Sequence, residues 1–171
     1  VSPLRTAAVV LGALVLQVCL FARFSFDGAR PDVVILVAVL AGYVAGPERG
    51  AVVAFCAGTA FDLLLTTPLG LSALVYSVVA YGIGSVTGGL LRSSPWIPSM
   101  VAAVGSAVGM LAYALIGALF GEATLTGPPL ASIIVYVAVI NVVLAPLAIR
   151  ALRWAQGDDR DRGRHQPFLA R

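Results

Sequence analysis

The residue best placed to do chemistry in this chain is a carboxylate set in apolar sequence. Asp62 follows the uncharged stretch 50–61 and is followed at once by Leu63-Leu64-Leu65. A carboxylate in such surroundings must find water, a cation or hydrogen-bond donors, because its desolvation is otherwise too costly. Three roles are open to it: binding a proton or cation in a transporter, contacting a partner protein, or capping the turn Thr66-Thr67-Pro68. A second carboxylate, Asp32, follows Pro31 at the head of another apolar run. There it can accept hydrogen bonds from the unpaired amides of a helix N-terminus, whose positive end also favours an anion. Arg23 and Arg30 stand shortly before it, so both acids also have candidate ion-pair partners in a purely structural role. Asn141 is the strongly polar residue of the last apolar run, five residues before Pro146. It can bond across helices or satisfy carbonyls freed by the proline. Tyr76, Tyr81, Tyr113 and Tyr136 are amphipathic and suit packing or an interface better than a site.

Catalysis has little else to draw on. His165, the single histidine, lies in a polar C-terminal tail. No HExxH, Walker loop or Cys/His cluster occurs. Cys19 and Cys56 sit singly inside apolar runs, in neither a CxxC pair nor a metal-ligand set. The expectation is a chain that is not an enzyme and takes no cofactor or metal.

The elements that position these residues follow from composition. Hydrophobic residues make up 60% of the 171 and charged ones 11%, against roughly a quarter charged in a soluble domain. So few polar side chains cannot cover a water-facing surface, which points to an all-α integral membrane protein. All eleven basic residues are arginine, a matter of genome composition. The net charge of +3 arises at the C-terminal end, where Arg alternates with Asp and no aromatic platform is present, so nucleic-acid binding is not expected.

Charges and turn residues divide the chain into six apolar runs, at 6–22, 33–47, 50–61, 71–91, 99–120 and 130–152. A spanning helix needs about 20 apolar residues, so the second and third are short. They are expected to form a hairpin covered by its neighbours, broken at Gly46-Pro47. The first run is read as a span and not a signal peptide, because no cleavage site before a polar region follows it. Val1 is read as an initiator from an alternative start codon. Residues 1–156 form the expected compact bundle of six transmembrane helices, and 157–171 a polar, disordered cytoplasmic tail.

Six spans place both termini on one side. That side holds nine arginines (Arg5, Arg49, Arg92, Arg150, Arg153, Arg160, Arg162, Arg164 and Arg171), and the other holds Arg23 and Arg30. By the positive-inside rule both termini are cytoplasmic. Asp32 and Asp62 then both fall toward the outer side. Trp96 and Trp154 fall near cytoplasmic boundaries, where indole rings commonly anchor.

Small residues recur every four positions. Gly50, Ala54 and Gly58 share a face that continues to Asp62, Ala38, Gly42 and Gly46 line the preceding run, and Gly84/Gly88, Gly105/Gly109 and Gly117/Gly121 repeat the pattern. Helices in lipid associate through such close backbone approaches.

Several of these residues also occur in the order of a known family. Pro31-Asp32, then Gly46-Pro47-Glu48-Arg49-Gly50, Phe55-Cys56-Ala57-Gly58, Asp62-Leu63-Leu64, Pro68-Leu69-Gly70-Leu71-Ser72-Ala73-Leu74, Tyr76 and Tyr81-Gly82 resemble the rod shape-determining MreD family, with Asn141 and Pro146 matching more loosely. The resemblance implies a non-catalytic inner-membrane component of the bacterial cell-wall elongation machinery, the elongasome. It implies an MreC-like bitopic membrane protein as partner. An MreB-type filament and a RodA and penicillin-binding synthase complex follow, directly or indirectly, with membrane lipid around the bundle. It also implies a bundle similar to substrate-binding subunits of energy-coupling-factor transporters. Asp32, Gly58, Asp62, Pro68, Gly70, Tyr76 and Asn141 are the candidates for partner binding or a structural motif. The reading favoured by the residues and the resemblance together is a scaffold that supports cell shape and peptidoglycan synthesis. Two rivals stand beside it: a substrate-binding subunit of a vitamin-type transporter, and an ion-coupled transporter using Asp62.

Overall fold

A computed structural model describes residues 2–19, 31–64, 69–88, 96–121 and 130–157. The described residues form six helices and no strand: α1 (Pro3–Cys19), α2 (Val33–Ala45), α3 (Pro47–Asp62), α4 (Leu71–Thr87), α5 (Ile97–Leu119) and α6 (Leu130–Gln156). Each expected apolar run is one helix. Glu48 and Arg49, expected at the break between the second and third runs, instead belong to the first turn of α3. The reason is local: Pro47 at the first position has no amide to leave unpaired, and Glu48 suits the positive end of the helix. Two helices, α5 with 23 residues and α6 with 27, are long and apolar enough to cross a membrane, while α1, α2 and α4 are apolar but shorter.

The organising element is α2. Its sequence, VVILVAVLAGYVA, is apolar all round, and 11 of its 13 residues are buried, as a helix without a polar face must be. It touches each of the other five helices. Its β-branched residues would favour a strand in isolation; packing on every side overrides that preference. The helix stops at Gly46, whose φ of 87° is open to glycine and strained for other residues, and Pro47 starts α3 directly.

Glycines let α2, α3 and α4 meet backbone to backbone. A Cβ on Gly50 would lie 2.7 Å from the Gly42 nitrogen, one on Gly84 2.5 Å from the Pro47 nitrogen, and one on Gly58 2.6 Å from the Ala73 Cα. The small-residue face of α3 thus packs internally, with Gly50, Ala54, Gly58 and Asp62 all buried. Helix α5 is fitted differently: Gly105 faces the Val39 side chain and Gly109 that of Ile35.

The outside of the bundle is apolar. Leu11, Val52, Val86, Val104, Val143 and Leu147 are exposed, while Gln17, Asp32, Asp62, Ser72, Thr87, Ser106 and Asn141 are buried. A protein in water shows the reverse preference; polar groups gathered inside a ring of large apolar side chains match a hydrocarbon solvent.

Candidate functional site: a polar hub at the head of α2

The first turn of α2 gathers polar side chains from four other helices. Asp32 is the N-cap, and its Oδ1 accepts the Ile35 amide at 2.9 Å. Its Oδ2 accepts the Tyr76 hydroxyl of α4 at 2.5 Å. The Asp32 carbonyl accepts Nδ2 of Asn141, from α6, at 3.0 Å, and the same Nδ2 donates to Oγ of Ser106, from α5, at 2.8 Å. From α1, Gln17 donates through Nε2 to the Pro31 carbonyl at 2.7 Å and accepts the Val33 amide on Oε1 at 2.9 Å. One side chain thereby satisfies a carbonyl and an amide of the turn.

The hub lies deep. Ser106 is 13 residues before Leu119 and Asn141 is 11 after Leu130, about 20 Å and 17 Å from those helix ends. At such depth an unpaired carboxylate or backbone group would cost several kcal/mol, and here the Asp32 carboxylate and the backbone groups of Pro31, Asp32 and Val33 each meet a donor or acceptor. Charge-assisted bonds of the Asp32–Tyr76 kind are the stronger ones.

Asp62 makes a second, adjoining cap. Helix α4 starts after Gly70, whose φ of 96° places it in the left-handed region and which has no side chain to cap with. The Asp62 carboxylate supplies the missing cap from the end of α3. It accepts the amides of Gly70 at 2.9 Å, Ser72 at 3.1 Å and Ala73 at 3.4 Å. Three orphan donors at the positive end of α4 thus meet a carboxylate. Phe61 stacks on Tyr76 with ring centroids 6.5 Å apart, which joins this cap to the hub.

Of the residues singled out in the sequence, Asp32, Tyr76 and Asn141 meet in one network, and Asp62, Gly58 and Gly70 lie together at the α3–α4 junction. Pro68, Thr66, Thr67, Arg23 and Arg30 lie outside the described residues, as does the tail beyond Gly157. Asp32, Asp62, Tyr76 and Asn141 are buried, so they act on the bundle from within. Asn141 bonds across helices through Nδ2. Its Oδ1, Ser72 Oγ and Tyr43 Oη have no hydrogen-bond partner among the described residues. Trp154 packs under Arg5, with the guanidinium 5.3 Å from the ring centroid. Sequence reasoning passed over Gln17 and Ser106. Gln17 carried the same signal as Asn141, one amide side chain in an apolar run; Ser106, in a Gly- and Ala-rich helix, carried none.

The pattern of the family described as rod shape-determining protein MreD matches residues 3–154 of the chain. No curated protein and no solved structure matches it.

Proposed function

The chain belongs to the MreD family, and from that premise we propose that it is a non-catalytic membrane scaffold of the bacterial cell-wall elongation machinery. In this reading it sits in the inner membrane and binds an MreC-like bitopic protein. Through that partner, or directly, it would meet an MreB-type filament and the RodA and penicillin-binding synthases. The observation that carries the reading is the use made of its polar residues. Asp32, Asp62, Tyr76 and Asn141, the groups that could have served a substrate or a coupled ion, are engaged in holding helix ends together. The bundle invests its buried chemistry in its own shape, as a platform for other proteins requires.

In the same reading all six helices cross the membrane and both termini are cytoplasmic. The Ser2 amide donates to the Ala155 carbonyl at 3.3 Å, and Arg5 covers Trp154, so the two ends of the bundle's chain come together. That favours an even number of crossings. At about 20 Å and 24 Å, α2 and α3 are shorter than a hydrocarbon core of about 30 Å. Short spans are tolerable where neighbouring protein rather than lipid surrounds the backbone at their ends. Residues 157–171 would be a cytoplasmic tail. A vitamin-type carrier is less well supported, because cavities beside α1 are lined almost wholly by apolar side chains, where a polar ligand needs converging polar groups.

Co-expression with an MreC-like bitopic protein and purification in mild detergent tests the scaffold. A stoichiometric complex is expected. A membrane-inserted chain that forms no such complex would refute the reading.

A further inference from the structure

Helix α1 is fastened to the bundle at its two ends. Near one end Ser2 and Arg5 meet Ala155 and Trp154; near the other, Gln17 holds the head of α2. Between these fastenings α1 stands off α3. The gap is a groove of about 740 Å³, walled by Ala7, Val10 and Leu14 on one side and Val53, Cys56 and Ala60 on the other. Apart from Thr6, whose hydroxyl donates to the Ser2 carbonyl, its walls are apolar. At one end the exposed pair Glu48 and Arg49 forms its mouth.

We propose that this groove binds one phosphatidylethanolamine molecule of the cytoplasmic leaflet, an acyl chain lying between α1 and α3 and the headgroup at Glu48 and Arg49. The proposal rests on the membrane reading and on the orientation given above. Three features select this occupant. From Glu48 to Ala60 the groove is about 18 Å long, slightly more than the roughly 15 Å of hydrocarbon in one leaflet, so a single acyl chain fills it. Adjacent side chains of opposite sign complement a headgroup that carries a phosphate and an ammonium; an anionic headgroup would meet Glu48 as a like charge. Helices α1 and α3 are themselves in contact, so a partner helix, about 10 Å across, would lie over the groove and not between them. Left empty, the apolar walls would forfeit dispersion contacts that a lipid chain restores.

Native mass spectrometry of the full chain, stripped of lipid in detergent and then supplied with phosphatidylethanolamine or phosphatidylglycerol, tests this. The expected result is one phosphatidylethanolamine retained per chain, at least threefold in preference to phosphatidylglycerol. Ala7→Trp should lower retention about fivefold by filling the groove, and Cys56→Phe should do the same from the opposite wall. Val86→Trp, on the outward face of α4, should leave retention unchanged. Glu48→Gln with Arg49→Gln should abolish the headgroup preference. Equal retention in the groove-filling and Val86 variants, no headgroup preference in the unaltered chain, or release of lipid only when a partner protein is added and seated there would each overturn the proposal. Membrane fractionation separates the two failures. A chain absent from the membrane fraction defeats the membrane reading, whereas an inserted chain without groove-dependent lipid defeats only this inference.

Discussion

Helices α2, α3 and α4 and helix α1 are attached to their neighbours in opposite ways. The three central helices meet through glycines at backbone contact and are locked by two carboxylate caps. Helix α1 buries Ala13 and Leu14 along one edge and is fastened at its ends by an amide side chain and an arginine–indole contact, with grooves along both flanks. Contact over a whole length leaves no freedom to adapt. Fastening at the ends fixes position while leaving side surface for lipid or a partner. The first design suits a part that must keep its shape, the second a part that meets other molecules.

If that contrast is right, the largest damage comes from adding atoms to the central helices. Gly42→Val places its Cβ into the Ala80 carbonyl, where only backbone could move. Overpacking of this kind should cost about 3 kcal/mol, read as a large fall in the thermal midpoint of the detergent-solubilised chain or as its failure to accumulate in the membrane. A Gly42→Val chain as stable as the original would remove the claim of backbone contact. Asp62→Ala comes next. It leaves the amides of Gly70, Ser72 and Ala73 without their acceptor, at about 2–3 kcal/mol. Thermal unfolding should show the loss, and Asp62→Asn should recover part of it, since one acceptor oxygen remains.

The central trio is also where the sequence was most legible. Gly46-Pro47 announced the break between α2 and α3, Pro31-Asp32 announced a capped helix start, and the four-residue spacing of Gly50, Ala54, Gly58 and Asp62 announced a packed face. These are local signals, set by one residue's φ, one cap or one helical period. The meetings at the hub were not legible. Asp32 and Tyr76 are 44 residues apart and Asp32 and Asn141 are 109 apart; nothing in either neighbourhood names the other. Capping was among the roles open to Asp62, and among the described residues the amides it takes stand at the head of α4, while the Thr66-Thr67-Pro68 turn lies outside them. Finding them required the left-handed Gly70, whose conformation a sequence does not print. Gln17 was the visible omission: a lone amide in an apolar run is as informative in the first helix as in the last.

Smaller effects should mark the other half of the comparison. Gln17→Leu leaves the Pro31 carbonyl and the Val33 amide unpaired, so a cost of about 1–2 kcal/mol is expected. It should appear as loosening of α1 and not as collapse of the bundle. A cysteine at Leu14, in a chain with Cys19 and Cys56 replaced, should become more reactive toward a thiol reagent when Gln17 is Leu. A cysteine at Ala54, behind the α3 face, should stay protected. Exposure of both would mean that α1 and the trio unfold as one unit, with no difference in how they are attached.

The smallest expected effect has the opposite sign. A Cβ added to Gly12 in α1 meets nothing within 4 Å, while the same atom on Gly42 meets backbone. Alanine is the better helix former by about 0.5–1 kcal/mol where space allows. Gly12→Ala should therefore raise the thermal midpoint slightly while Gly42→Ala lowers it. The pair changes the same single atom in two helices of one molecule, so composition and solvent cancel and only the mode of attachment remains. Equal destabilisation by both would show that α1 is packed as tightly as the trio on the flank facing α2 and α6, where Gly12 lines the second groove.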